Sequence, residues 1–131
     1  MLECLILGDS IAVGTAQARP ECVAYARVGI NSRQWNQDYS SNDLSARTVV
    51  ISLGSNDYQG IDTHAELLKL RKKIDSKKVY WIMPAIKPEV QTLVEEVANM
   101  YGDWIVTIPS LGADGIHPTA KGYKKMGEIT K

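Results

Sequence analysis

Short apolar runs alternate with longer stretches in which apolar residues recur every three or four positions. Residues 2–7 predict a first strand, ended by Gly8-Asp9-Ser10. Residues 11–18 read as a short helix stopped before Pro20, because proline restricts its own backbone and that of the residue before it. A weaker strand over 22–26 leads into the loop Gly29-Ile30-Asn31-Ser32 and a helical turn over 33–38. Residues 48–53 (Thr-Val-Val-Ile-Ser-Leu) are the clearest strand, rich in β-branched side chains and closed by Gly54-Ser55-Asn56-Asp57. Thr63-His64-Ala65-Glu66 matches a capping box at the head of a helix that carries Leu67, Leu70 and Ile74. A fourth strand over 78–83 stops at Pro84. Pro88 opens a helix with an apolar face of Val90, Leu93, Val94, Val97 and Tyr101, ended at Gly102. A fifth strand covers 104–108, and Pro118 opens the last helix.

Five strands alternating with helices predict an α/β domain, a five-stranded parallel sheet covered on both faces, over residues 1–131. Right-handed crossovers make the flavodoxin-like order 2-1-3-4-5 the simplest arrangement of such a three-layer α/β/α fold. In sheets of this kind the working groups gather at the carboxyl ends of the strands. Those ends carry Ser10, Gly29, Asn56, Met83-Pro84 and the loop holding Asp114 and His117.

Composition narrows the function classes. The 131 residues suffice for one core, and 15 basic side chains balance 15 acidic ones. The chain thus lacks the general basic surface that nucleic acid or an anionic membrane rewards. Lys69, Arg71, Lys72, Lys73, Lys77 and Lys78 cluster locally and read as a solvated helix end and turn. Cys4 and Cys22 lie in apolar stretches and read as reduced core thiols. The N-terminus has no basic segment ahead of its short apolar run, and no run approaches the ~20 residues of a membrane span, so a soluble, cytoplasmic chain is expected. Oligomeric state is not legible.

Ser10 is the natural nucleophile, since it follows the first strand and begins a helix whose N-terminus favours developing negative charge. A serine there is also an ordinary N-cap. Attack at neutral pH needs a base, for which imidazole is best suited. Of the two histidines, His64 sits in a first helical turn and reads as a surface residue. His117 ends Asp114-Gly115-Ile116-His117, where a carboxylate three residues ahead can reach the ring and hold its tautomer. Gly29 can present a backbone N–H closely and Asn56 a side-chain amide; both are also common turn residues.

Taken together, Gly8-Asp9-Ser10, Gly29, Gly54-Ser55-Asn56-Asp57 and Asp114-Gly115-Ile116-His117 span nearly the whole chain. In this order and at these positions the sequence resembles the SGNH hydrolase family, also called GDSL esterases and lipases. Ile11 stands where the family's name motif has leucine, and the chain is short for the family, leaving no insertion for a lid. The resemblance implies hydrolysis of esters or thioesters without cofactor or metal. It makes Ser10 the nucleophile, His117 the base and Asp114 the residue that orients it. The Ser10 and Gly29 backbone N–H groups and the Asn56 side chain would form the oxyanion hole, while Asp9 and Asp57 would brace loops. Arg33, Trp35, Met83 and Pro84 are candidates for the substrate rim.

Other classes fit less well. A response-regulator receiver domain wants an acidic pair after strand one and a lysine after strand five; here Asp9 stands alone and Pro109-Ser110-Leu111 follows the fifth strand. An α/β-hydrolase carries its nucleophile elbow later in a longer chain, and neither a P-loop nor G-x-G-x-x-G is present. A non-catalytic binding module on the same fold is the remaining alternative. The expected activity is an esterase for short acyl groups, acetyl above all, on a small-molecule or glycan ester. A thioesterase or lysophospholipase taking longer chains is the alternative within the family.

Overall fold

The computed structural model describes residues 1–131. Its elements alternate throughout: β1 (Leu2–Gly8), α1 (Ser10–Ala18), β2 (Val23–Ala26), α2 (Ser32–Tyr39), β3 (Ala46–Ser52), α3 (Thr63–Lys73), β4 (Lys78–Ile82), α4 (Pro88–Tyr101), β5 (Trp104–Val106) and α5 (Ala120–Ile129). All strand pairs are parallel, in the expected order β2-β1-β3-β4-β5. No helix is long and apolar enough to cross a membrane.

Strand side chains alternate between two faces, and both are buried. Leu5, Leu7, Val49, Ile51, Val79 and Trp81 point to one side, where they pack with residues of α2, α3 and α4. Ile6, Val50, Tyr80, Ile82 and Val106 point to the other, against Ile11 and Ala12 of α1 and Met126 of α5. The result is a three-layer α/β/α fold. Near-continuous apolar strands are what a sheet covered on both faces requires.

Helix starts differ from expectation in an instructive way. At α3 the cap is Asp62, which accepts the Ala65 N–H, so Thr63-His64-Ala65-Glu66 is not a capping box. Thr63 turns its hydroxyl to Asp57 instead, and the Glu66 carboxylate accepts from Asn36. The capping box lies at α2, between Asn31 and Gln34, and gives a full helix where only a turn was expected. At α5, Thr119 caps, and Pro118 stays outside the helix, bridged to Leu111.

The basic cluster is only partly solvated. Arg71 is buried and donates from Nε and Nη2 to the two carboxylate oxygens of Asp103, at 2.7 and 2.9 Å. Its guanidinium also stacks 4.3 Å above the Tyr101 ring, and Trp81 Nε1 donates to the same carboxylate. This network ties α3 and α4 to the edge of the sheet.

Cys4 and Cys22 form a disulfide, which corrects the expectation of free thiols. The reason is register. Leu5 pairs with Val23 across β1 and β2, so the residues one step before them stand opposite each other, with Cα atoms 4.8 Å apart. Sequence spacing alone did not reveal that pairing. Buried Arg19 packs beside the bridge, donating to the Gly127 carbonyl and the Thr130 hydroxyl of the C-terminal segment.

Strands β1 and β3 meet closely where the chain turns into α1. The Asp9 N–H donates to the Ser52 carbonyl at 2.9 Å. A Cβ on Gly8, whose φ is +140°, would collide with that same carbonyl. Asp9 is the N-cap of α1: its Oδ1 accepts the Ile11 N–H and the Ser52 hydroxyl, both at 3.0 Å, while buried Oδ2 has no partner. Burial out of water raises the Asp9 pKa to about 6, against the opposing effect of these hydrogen bonds.

Two outcomes are expected. The bridge closes a loop between residues 18 apart, so Cys4→Ser/Cys22→Ser lowers unfolding stability; urea denaturation should read a loss of about 3 kcal/mol. The Asp9 carboxyl binds its proton more tightly folded than unfolded. Its contribution is therefore largest below the ordinary pKa of 3.8 and is lost as pH rises to about 6. Relative to the wild type, Asp9→Asn should gain stability across that window, by up to about 3 kcal/mol; denaturation curves at its two ends measure the gain.

Candidate active site

Three side chains from opposite ends of the sequence meet at the carboxyl edge of the sheet. Ser10 is half-buried in the first turn of α1, and its Oγ lies 2.8 Å from His117 Nε2. His117 Nδ1 lies 2.8 Å from Asp114 Oδ2. With Nδ1–H donating to the carboxylate, Nε2 is left with a lone pair that accepts the Ser10 hydroxyl hydrogen. Because Asp9 already caps α1, Ser10 is not required as a cap. Its hydroxyl faces the imidazole across 107 residues of chain.

The loop between β5 and α5 is built to hold His117. The chain doubles back, with the Gly112 N–H donating to the His117 carbonyl at 2.8 Å and Leu111 bridged to Pro118. Gly115 sits at the reversal with φ of +68°, in the left-handed region that favours glycine. Asp114 Oδ1 accepts the N–H groups of both Ile116 and His117 at 2.9 Å, leaving Oδ2 for the ring. Those bonds, from the His117 N–H first, then the Ile116 N–H and the imidazole, hold the Asp114 pKa down at about 2. The carboxylate is therefore ionised at any pH well above that value. Thr119 anchors the loop from behind, donating to the Ser110 hydroxyl and capping α5.

Ser10, Gly29, Asn56 and His117 all line one cleft of about 230 Å³. Asn56 Nδ2 donates to the Ile30 carbonyl at 3.0 Å. That bond uses one of two amide hydrogens and fixes the direction of the other. Gly29 has φ of +80° and adjoins the cleft without a side chain. The first-turn N–H groups of α1 lack intrahelical partners by geometry and add partial positive charge beside Ser10. Tyr123 of α5 packs its ring against Gly14 of α1. Its phenol pKa is raised, by burial first and then by the charges of Asp9 and Asp114.

Asp57 is buried and ties three segments together. Its carboxylate accepts the Ser32 N–H at 2.8 Å, the Ser32 hydroxyl at 2.5 Å and the Thr63 hydroxyl at 2.7 Å. Its carbonyl accepts Lys87 Nζ at 2.7 Å. The loop carrying Asn56 is thereby fastened to the starts of α2, α3 and α4.

The four rim candidates do not line the cleft. Trp35 is fully buried, its Nε1 donating to the Tyr25 carbonyl and its ring packed in the core, because α2 turns that face inward. Arg33 is exposed and donates to the Tyr58 hydroxyl. Met83 packs against the core below, and Pro84 is buried. Besides Ile11, which follows Ser10, the apolar walls are Val28, Ile86 and Ile116. The available signal was their place in loops, next to Gly29, two residues past Pro84 and beside His117. Val28 is 70% exposed.

No protein-family model matches the sequence, and no curated protein matches it. Solved structures do share its fold. An acylhydrolase candidate from Bacteroides fragilis superposes with a TM-score of 0.70 at 19% identity, over 98% of this chain and 84% of that one. The C-terminal catalytic domain of peptidoglycan O-acetyltransferase A from Streptococcus pneumoniae, carrying a methylsulfonyl adduct, gives 0.62 at 19% identity, over 96% and 88%. An acetyl xylan esterase from the rumen bacterium Butyrivibrio proteoclasticus gives 0.63 at 10% identity, over 97% of this chain and 62% of the longer enzyme. At such identities the likeness establishes the architecture, a three-layer sheet fold of the same plan.

Proposed function

We propose that this protein is a serine esterase of the SGNH hydrolase type that removes short acyl groups, acetyl above all, from a hydroxyl-bearing substrate. The observation that carries the reading is the unbroken link from the Asp114 carboxylate through His117 to the Ser10 hydroxyl, with both contacts at 2.8 Å. Ser10 Oγ attacks the ester carbonyl while its proton passes to His117 Nε2. The tetrahedral oxyanion rests on the N–H groups of Ser10 and Gly29 and on the free amide hydrogen of Asn56. Collapse breaks the ester C–O bond, and the departing alkoxide takes the proton from Nε2. Water then repeats the sequence on the acyl-enzyme and frees the acid and the serine.

Cleft size favours a small acyl group. At about 230 Å³ it falls below the ~300–1,000 Å³ usual for drug-sized ligands. Val28, Ile86 and Ile116 offer an apolar contact for a methyl group but no tunnel for a long chain. Longer-chain thioesterase or lysophospholipase activity is disfavoured on this ground. The fold neighbours include enzymes that handle acetyl groups on polysaccharides, which agrees with a sugar-bound acetyl ester. A disulfide suits an oxidising compartment, against the cytoplasmic setting expected from the N-terminus.

Hydrolysis of p-nitrophenyl acetate, compared with the octanoate and palmitate esters, checks the reading. The acetate should be preferred, and Ser10→Ala should abolish turnover. Asn56→Ala should lose roughly 10²–10³ in kcat through one missing oxyanion donor. Preference for palmitate, or full activity in Ser10→Ala, would contradict the proposal.

A further inference from the structure

The cleft at Ser10 is not the largest hollow on this edge. A depression of about 630 Å³ lies beside it, between the starts of α3 and α4. The two share a wall. Asn56 and Ile86 line the small cleft, while the next residues, Asp57 and Lys87, line the large one. Lys87 Nζ bonds across that wall to the Asp57 carbonyl at 2.7 Å.

Lys87 is the one non-glycine residue with positive φ, +63°. A side chain with a Cβ is disfavoured there, and such strain concentrates at functional positions. The consequence here is geometric: successive residues 86 and 87 face two different hollows.

We infer that the larger hollow is a binding site for the uncharged sugar, or equivalent polyol, that carries the ester cleaved at Ser10. The inference rests on the esterase reading and adds to it where the alcohol part lies. Three observations select this ligand chemistry. The floor is apolar, with Ile61, Val90 and Leu93, and Tyr58, which is 59% exposed, offers a ring at the rim for the C–H face of a pyranose. The remaining rim is mixed, with the Gln59 amide and the Asp62 and Glu89 carboxylates suited to hydroxyl groups. Lys87 is engaged by the Asp57 carbonyl and the His64 ring lies 3.8 Å from the Glu96 carboxylate, while Asp62 and Glu89 are acidic, so the lining does not favour a phosphate or carboxylate ligand. Position adds a fourth. The acyl group becomes bonded to Ser10 and must sit in the small cleft, whereas an occupant beyond the wall belongs to the part that leaves. The volume is within the range of small-ligand sites.

The test has two arms. In the first, kcat/KM is measured for O-acetylated xylotetraose, for O-acetylated chitotetraose and for p-nitrophenyl acetate, which carries no sugar. In Tyr58→Ala and Gln59→Ala the ratio of the better sugar ester to p-nitrophenyl acetate should fall at least tenfold. An unchanged ratio overturns the inference. In the second arm, Ser10→Ala protein is titrated with unacetylated xylotetraose and chitotetraose and followed by amide chemical shifts. Shifts confined to Tyr58, Gln59 and the start of α4 are expected; no shift at millimolar sugar, or shifts elsewhere only, overturns it. Inactivity of the wild type on every ester, with sugar shifts at Tyr58 retained, would sink the esterase reading and leave the sugar site standing.

Discussion

The site depends first on how closely β1 and β3 approach at their carboxyl ends. Gly8 has no side chain, so the Asp9 N–H can reach the Ser52 carbonyl, and the chain must turn there. That turn places Asp9, and not Ser10, at the N-cap of α1. Ser10 is thereby freed from capping and set with its hydroxyl outward at a helix N-terminus. Any side chain at Gly8 would push the strands apart and move Ser10 with them. The unpartnered Oδ2 of Asp9 is the cost of this junction, and burial there raises the pKa of this carboxyl beside Ser10 to about 6.

Three aspartates hold the site by different physics. Asp9 is buried and raised; Asp57 is buried and fully hydrogen-bonded to Ser32 and Thr63; Asp114 is exposed and held ionised by two backbone N–H groups. The first two order backbone around the cleft, joining segments far apart in sequence. The third orders a side chain. Asp114 needs no burial, since its carboxylate and His117 lie on one tight loop and three residues of chain fix their separation. The support beneath is buried, while the His117 and Asp114 side chains above it are exposed to solvent.

Much of this was legible in the sequence because apolar periodicity and loop chemistry are local signals. Five strands, their parallel sense and the convergence of Ser10, Gly29, Asn56 and His117 on one edge follow from alternation and from what ends each strand. What escaped reading depended on partners elsewhere in the fold. The Cys4–Cys22 bridge needed the register of β1 on β2. Thr63 resembles a cap, but Asp57 claims its hydroxyl and Asp62 takes the capping role. Trp35 lies in a polar stretch, Arg33-Gln34-Trp35-Asn36, so nothing local marked it as core. The larger hollow arises where two helix starts meet a third loop, a juxtaposition with no signature in any one segment.

On the proposed function, an imidazole held by a carboxylate makes the Ser10 hydroxyl reactive. Sulfonylation by phenylmethylsulfonyl fluoride, followed by peptide mass mapping, measures that reactivity without choosing a substrate. A single adduct on the peptide bearing Ser10, absent when His117 is replaced by alanine, is the predicted result. An unmodified Ser10 in the folded wild-type protein, or labelling that is indifferent to His117, would contradict the account.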